Sequence, residues 1–251
     1  MDRILVLLVL SLVSCSDPQT ADSGVRSPPS PCRSELFEGS RLTLCARKDA
    51  ILEIHSAPAS GAPYRSFAAL EQALGSRSSN VLFAMNAGMF DDEGRPIGLV
   101  IEQGRELKAI NRRRGRGNFH LLPNGVFLVG KNGIAAVVET GKLRDVRDVA
   151  FASQSGPMLL MNGKLHPSFV PDGESRHYRN GVGIAADGTP AFVISEEPVS
   201  FGKIARYFRD RLGAREALYF DGAVSSLWDP RNGRRDNHAE LGPMVVAFRR
   251  R

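Results

Sequence analysis

Apolar residues come along this chain in short runs separated by Gly, Asn, Asp and Pro, the rhythm of strands and turns rather than of long helices. Val81-Leu-Phe-Ala-Met85 is apolar without a break and predicts a strand buried on both faces. Leu42–Cys45 and Ile51–Ile54 suit a pair of strands entering the sheet together, and Ala191–Ser195, Ala217–Phe220 and Pro243–Phe248 read as later strands. Asn124-Gly125, Asn162-Gly163 and Asp187-Gly188 each close a pair of apolar runs, a hairpin signal, because both residue types tolerate the left-handed conformation that tight turns need. Two stretches carry helical spacing instead. Ser66–Leu74 has Ser66 as cap and Gly75 as stop. Ser200–Leu212 places Phe201, Ile204, Ala205, Phe208 and Leu212 on one face between a Ser200 cap and Gly213. Aromatics at that spacing are core before they are a ligand box. The expected fold is α+β: a mixed, largely antiparallel sheet with a few packed helices in a single domain.

The N-terminus follows a different pattern. Arg3 precedes an apolar run from Ile4 to Leu10, which resumes at Leu12-Val13 and is too short to cross a bilayer. It resembles a bacterial lipoprotein signal, with Leu12-Val-Ser-Cys15 as the lipobox; an ordinary secretory signal cut elsewhere is the alternative. The resemblance implies a signal peptide over residues 1–14, cleavage before Cys15, and lipid on Cys15 anchoring the chain to a membrane. Residues 15–31, rich in Ser, Pro, Asp and Gly, read as a flexible tether, and 32–251 as the folded domain. With Ser16 rather than Asp after the cysteine, the resemblance implies the outer membrane, with the domain facing the periplasm. In such an oxidising compartment Cys32 and Cys45 are expected to form a disulfide, worth about 3 kcal/mol for a loop of this size.

Composition narrows the partners. At 251 residues and 42% hydrophobic, the chain can bury one substantial core. Its 33 basic and 27 acidic residues leave +6, which suits an anionic surface or a phosphate-bearing ligand. No aromatic-basic repeat or helix-turn-helix signal points to nucleic acid. The five histidines, His55, His120, His166, His177 and His238, lack paired metal-ligand spacing, so neither metal nor cofactor is expected. The absence of a Gly-x-Ser-x-Gly elbow argues against a serine-hydrolase triad. Arg112-Arg-Arg114 with Arg116 reads as a solvated loop, or as a contact for an anionic glycan or lipid head group.

Candidate chemistry collects where strands stop. Ala217–Phe220 delivers Asp221 onto Gly222, and Val81–Met85 ends in Asn86-Ala-Gly88; an Asp-Gly pair alone is usually only a turn. Asn86-Ala-Gly-Met-Phe90, Gly98-Leu-Val-Ile101, Ser155-Gly-Pro157, Arg179-Asn-Gly-Val-Gly183 and Tyr219-Phe-Asp-Gly222 with Ser225-Ser226 occur in the order of the phosphodiester glycosidase family, which the chain resembles from about Leu42 to Phe248. The resemblance implies hydrolysis of a sugar 1-phosphodiester or related envelope glycan. Asp221 would be the carboxylate at the sugar ring, as nucleophile, base or oxocarbenium stabiliser. Glu196, after the Ala191–Ser195 strand, would be the second carboxylate, with Glu197 as its alternative, and Arg179 would hold the phosphate with its planar fork. Asn86, Gly88, Ser155, Gly156, Asn180, Gly222 and Ser225 would bind substrate, and His177 is near enough in sequence to join them. The family usually has Asp-Gly-Gly before its serines, and Ala223 stands here in place of the second glycine. That departure supports the alternative of a non-catalytic envelope lipoprotein that binds anionic polysaccharide or peptidoglycan. Oligomeric state has no signal in the sequence.

Overall fold

The computed structural model describes residues 29–57 and 61–250; the expected signal peptide, Cys15 and most of the tether lie outside these residues. Three sheets surround one shared core. The first has strand order β1 (Cys32–Phe37), β2 (Ser40–Ala46), β13 (Pro190–Ser195), β12 (Asn180–Ile184), β14 (Ala217–Tyr219), β10 (Met158–Met161), β11 (Lys164–Leu165). The second runs β16 (Arg234–Arg235), β15 (Leu227–Asp229), β4 (Val81–Asn86), β17 (Met244–Phe248), β3 (Ile51–His55). The third runs β6 (Arg105–Lys108), β5 (Val100–Glu102), β9 (Val149–Ser155), β7 (Gly125–Gly130), β8 (Ala135–Glu139). Neighbours pair antiparallel throughout these sheets. With two short α-helices packed outside them, the fold is α+β.

Alternation along each strand decides which side chains face inward. Phe83 and Met85 of β4, Val245 and Ala247 of β17, Phe127 of β7, and Phe192, Ile194, Val182 and Leu218 of the first sheet meet in the shared core. The opposite faces need separate cover. Helix α1 (Phe67–Leu74), capped by the Ser66 hydroxyl on the Ala69 N–H, lays Phe67, Leu70 and Leu74 over Val246, Phe248 and Trp228 of the second sheet. Helix α2 (Phe201–Arg206), capped by Ser200 on Lys203, continues as a wider turn through Arg211. It packs Ile204, Ala205, Tyr207 and Phe208 on Leu42, Leu44 and Tyr219 of the first sheet. Both predicted helices are present, and their aromatics are core.

The turn signals divide. Asn162 (φ 51°) and Gly163 (φ 76°) make the β10–β11 hairpin, both in the left-handed region that Asn and Gly accept most easily. Asp187-Gly188 joins β12 to β13. Asn124-Gly125 does not form a hairpin: Gly125 opens β7, opposite Ser155 of β9, and Asn124 is buried beneath the preceding loop, donating to the Phe119 carbonyl at 2.8 Å. Leu42–Cys45 and Ile51–Ile54 also do not pair with each other. β2 pairs with β1 and β13, whereas β3 pairs with β17 in the second sheet. The partner of β2 is a strand of mostly polar residues, Arg33-Ser-Glu-Leu-Phe, which no apolar pattern announces. Cys32 and Cys45 sit directly opposite in that pair and form the expected disulfide.

Candidate functional site

The strand ends singled out by sequence converge. β4 ends at Asn86, β12 begins at Asn180 with Arg179 just before it, and β14 runs out through Phe220 into Asp221. Asn86 is fully buried, and its amide ties the three together. Nδ2 donates to the Asp221 carbonyl at 2.8 Å, while Oδ1 accepts from Asn180 Nδ2 at 2.8 Å and from the Ser226 N–H at 2.9 Å. Ser155, also fully buried, donates its hydroxyl to the Phe220 carbonyl at 2.9 Å. Asn86, Asn180 and Ser155 therefore hold the backbone on either side of Asp221 from beneath. The polar side-chain groups of all three are buried and hydrogen-bonded within the protein. Gly88 and Gly156 are likewise packing positions, where a side chain would meet Ser153 Oγ and Asn124 Cβ respectively.

Tyr219 and Arg179 share the side of the first sheet that α2 covers, and Asp221, just past the strand, is near enough for its charge to act on Tyr219. Arg179 is 1% exposed, stacks its guanidinium 3.4 Å from the Phe201 ring centroid, and donates to the Val199 and Ser175 carbonyls at 2.8 and 3.0 Å. Among the described residues no carboxylate pairs with it. Burial lowers its pKa from the ordinary value, and the adjacent Tyr219 hydroxyl opposes that fall. Asp221 is half-buried and also lacks a cationic partner among the described residues. Desolvation pushes its carboxyl up to about 6, against a single stabilising hydrogen bond from the Ala223 N–H at 3.2 Å. The Tyr219 hydroxyl, which feels both charges, accepts the Gly222 N–H at 2.7 Å. Burial, with the Asp221 charge behind it, raises that phenol's pKa, so it stays a neutral donor. Gly222 has to be glycine, because a Cβ there would run into the Tyr219 hydroxyl and the Tyr178 carbonyl.

Beside the Gly222 turn is a cleft of about 480 Å³ whose walls include Gly222, Ala223, Ser225, Glu196, Arg234 and Tyr178. Glu196 lines this cleft. Its Oε1 accepts from Thr43 Oγ1 at 2.5 Å and Arg234 Nη1 at 2.6 Å. Glu197 accepts the Arg41 N–H at 2.7 Å. Ser225 lines the cleft, 5% exposed, with its hydroxyl 3.4 Å from Asn180 Oδ1. His177 bridges to Val199 through its backbone and leaves its ring exposed.

Sequence reasoning missed three participants. Tyr219 belongs to the Tyr219-Phe-Asp-Gly222 motif but reads as strand apolarity, and its hydroxyl carries no sequence signal. Ser195, whose hydroxyl accepts the Arg179 N–H at 2.9 Å, carries no pattern. Neither does Arg234, a lone cation on a two-residue strand.

Three strand ends thus gather a half-buried acid and a buried guanidinium, neither of them ion-paired among the described residues. The family is defined: residues 79–242, roughly two thirds of the chain, match the phosphodiester glycosidase family, and the chain belongs to it. The Escherichia coli (strain K12) protein named "Uncharacterized protein YigE" is 37% identical over 148 residues, a match that spans 59% of this chain and only 58% of that relative. Among solved structures, the zebrafish N-acetylglucosamine-1-phosphodiester alpha-N-acetylglucosaminidase catalytic domain, auto-inhibited by pro-peptide, superposes with a TM-score of 0.61 at 14% identity, covering 88% of this chain and 82% of that one. A hypothetical protein from Synechocystis gives 0.55 at 14% identity, covering 87% and 61%. At these identities the likeness is one of fold.

Proposed function

We propose that this chain hydrolyses a glycosyl phosphodiester, releasing the sugar and leaving the phosphate as a monoester on its other alcohol. The observation that carries this reading is the pair of charges, Asp221 and Arg179, that both act on the Tyr219 hydroxyl while neither is ion-paired among the described residues. Cleaving the anomeric C–O bond puts positive charge on the sugar ring and negative charge on the departing phosphate. An acid that is not ion-paired is free to stabilise the first, and a guanidinium that is not ion-paired the second. Among the described residues, neither charge needs to be freed from an ion pair before it acts. Water supplies the hydroxyl that ends on the anomeric carbon, and its proton leaves with the phosphate or to solvent. The solved relative whose printed name describes a sugar-1-phosphodiester glycosidase supports the substrate class.

Ala223 does not favour a non-catalytic reading. It is exposed, it has no positive φ, and it supplies the same backbone N–H to Asp221 that a glycine would. We also propose export with a lipid on Cys15, on the lipobox alone. Purified protein is expected to release free sugar from a sugar 1-phosphodiester, and Asp221→Asn to abolish that release while keeping the fold. Absence of turnover across a panel of such diesters would overturn the proposal.

A further inference from the structure

The loop that carries Arg112 to Arg116 holds chemistry that the proposed reaction leaves unused. Between Glu106 and Glu139 the chain has no acidic residue, while Lys108, Arg112, Arg113, Arg114, Arg116 and Lys131 are basic. None of these is ion-paired among the described residues. The loop has no regular secondary structure, yet it is firmly held. Gln154 of β9, 2% exposed, accepts the Asn111 N–H at 2.8 Å and donates to the Asn111 carbonyl at 2.7 Å. Asn111 in turn donates to the Ile97 carbonyl at 2.9 Å and accepts the Arg113 N–H at 3.0 Å. Arg112 reaches back to the Thr140 and Leu143 carbonyls, and the His120 ring donates to the Arg113 carbonyl at 2.9 Å. Gly115 lies against that ring, where a Cβ would strike it. Arg113, Arg114 and Arg116 are thus exposed on a braced backbone. A loop that only keeps charge in solvent needs no such bracing, whereas cations fixed in advance lose less freedom when a partner binds.

Neighbouring guanidiniums with no acid among them attract a partner whose negative charges are themselves closely spaced. Phe119 is buried, so the loop lacks the exposed aromatics on which nucleic-acid bases stack. Leu107 and Leu122 are exposed but stand on separate elements, and they make no continuous apolar face for a bilayer. What lies beside the cations is a groove. Arg112 lines it with Leu122, Pro123, Asn124 and Thr140, and its acid, Glu139, is already paired with Lys142 at 2.9 Å. Its volume, about 400 Å³, falls within the roughly 300–1,000 Å³ of small-molecule sites. We infer that Arg113, Arg114 and Arg116, with the groove beside Arg112, dock a linear anionic polysaccharide that carries phosphate or carboxylate groups along its length. Gln154 is followed by Ser155, whose hydroxyl holds the Phe220 carbonyl just before Asp221, so the docked chain lies at the same end of β9 as the candidate site. That this polysaccharide also presents the bond to be cleaved rests on the phosphodiester glycosidase reading; the docking itself does not.

The test compares full-length wild type with the triple variant Arg113→Gln, Arg114→Gln, Arg116→Gln, exposed positions whose change spares the fold and leaves the N-terminus common to both. The probes, fluorescein-labelled and followed by anisotropy, are polygalacturonate, dextran sulfate standing in for a phosphate-bearing chain, and uncharged dextran. Both anionic chains are expected to bind wild type saturably at about 50 mM NaCl and the variant at least about tenfold more weakly, with no binding of dextran to either. The slope of log K against log[NaCl] should be shallower by about 2 in the variant, because three fewer cations displace counterions from the polymer. The variant should still release sugar from a small sugar 1-phosphodiester at the wild-type rate. The inference is overturned if neither anionic chain binds, if the variant binds them as tightly as wild type, if dextran binds equally well, or if the variant loses sugar release in step with binding. Tighter, variant-sensitive binding of oligothymidylate or of phosphatidylglycerol vesicles would overturn it in favour of nucleic acid or membrane. Polysaccharide binding by a protein without hydrolytic activity would sink the proposed function and leave this inference standing. Sugar release by a protein that binds neither anionic chain would do the reverse.

Discussion

Asp221 is expected to be a site of stored instability, and removing its charge should make the protein more stable. Burial raises the carboxyl from 3.8 to about 6 because ionising it in place is costly and only the Ala223 N–H offsets that cost. Each factor of ten in acid dissociation is worth about 1.4 kcal/mol, so the ionised group costs the folded state about 3 kcal/mol, or about 1–3 kcal/mol once partial solvent contact is allowed for. The sign follows from proton linkage. Between pH 3.8 and about 6 the folded chain holds a proton that the unfolded chain has lost, so stability falls as pH rises through that window and the full cost applies above it. Asp221→Asn keeps the acceptor for Ala223 and removes the charge. Thermal unfolding at pH 8 should therefore show the variant melting about 2–12 °C above wild type, and the gap should close as pH falls toward 4. A variant equally stable or less stable at pH 8, or a gap that does not change with pH, would refute the claim that the carboxylate is held against its preference. A gain in stability at the cost of activity is the signature of a functional group rather than a structural one.

Other expectations follow from the same geometry. Arg179→Lys keeps the charge but loses the fork and the stack on Phe201, so sugar release should fall at least about 100-fold in kcat/KM; a loss under tenfold would remove Arg179 from the phosphate. Asn86→Ala cuts the amide that joins three strand ends in a buried environment, and denaturant unfolding should show a loss of about 2–4 kcal/mol; an unchanged midpoint would mean that these bonds do not hold the site. Replacing Cys32 and Cys45 together with Ser should cost about 3 kcal/mol, read from the same unfolding curve, whereas dithiothreitol should have no further effect on that variant.

Much of this organisation was legible where a local rule and the tertiary fold agree. The Asn162-Gly163 hairpin was legible because two left-handed residues in succession have few other solutions. Both helices were legible because cap, apolar face and stop coincide. Asn124-Gly125 carries the same dipeptide signal, but there the glycine answers to packing: any side chain would strike Met158 and Leu218 across the core. Strand β1 was invisible because an edge strand stitched by a disulfide needs little apolar character. The site was legible as a set of strand ends, and the division of labour within it was not. Whether an amide such as that of Asn86 faces a ligand or a neighbouring carbonyl depends on three strands brought together from distant parts of the chain. Tyr219 and Arg234 were hidden for the same reason, since their importance comes from what other elements place beside them.

The most direct test of the central claim is the rate of sugar release from a sugar 1-phosphodiester, measured for wild type and Asp221→Asn from pH 4 to 8. If an ionised Asp221 stabilises the developing positive charge on the sugar, kcat/KM for wild type rises with pH to a plateau above about 6, and the variant is inactive throughout. Release by the variant at the wild-type rate, or a profile with no inflection near 6, would contradict it.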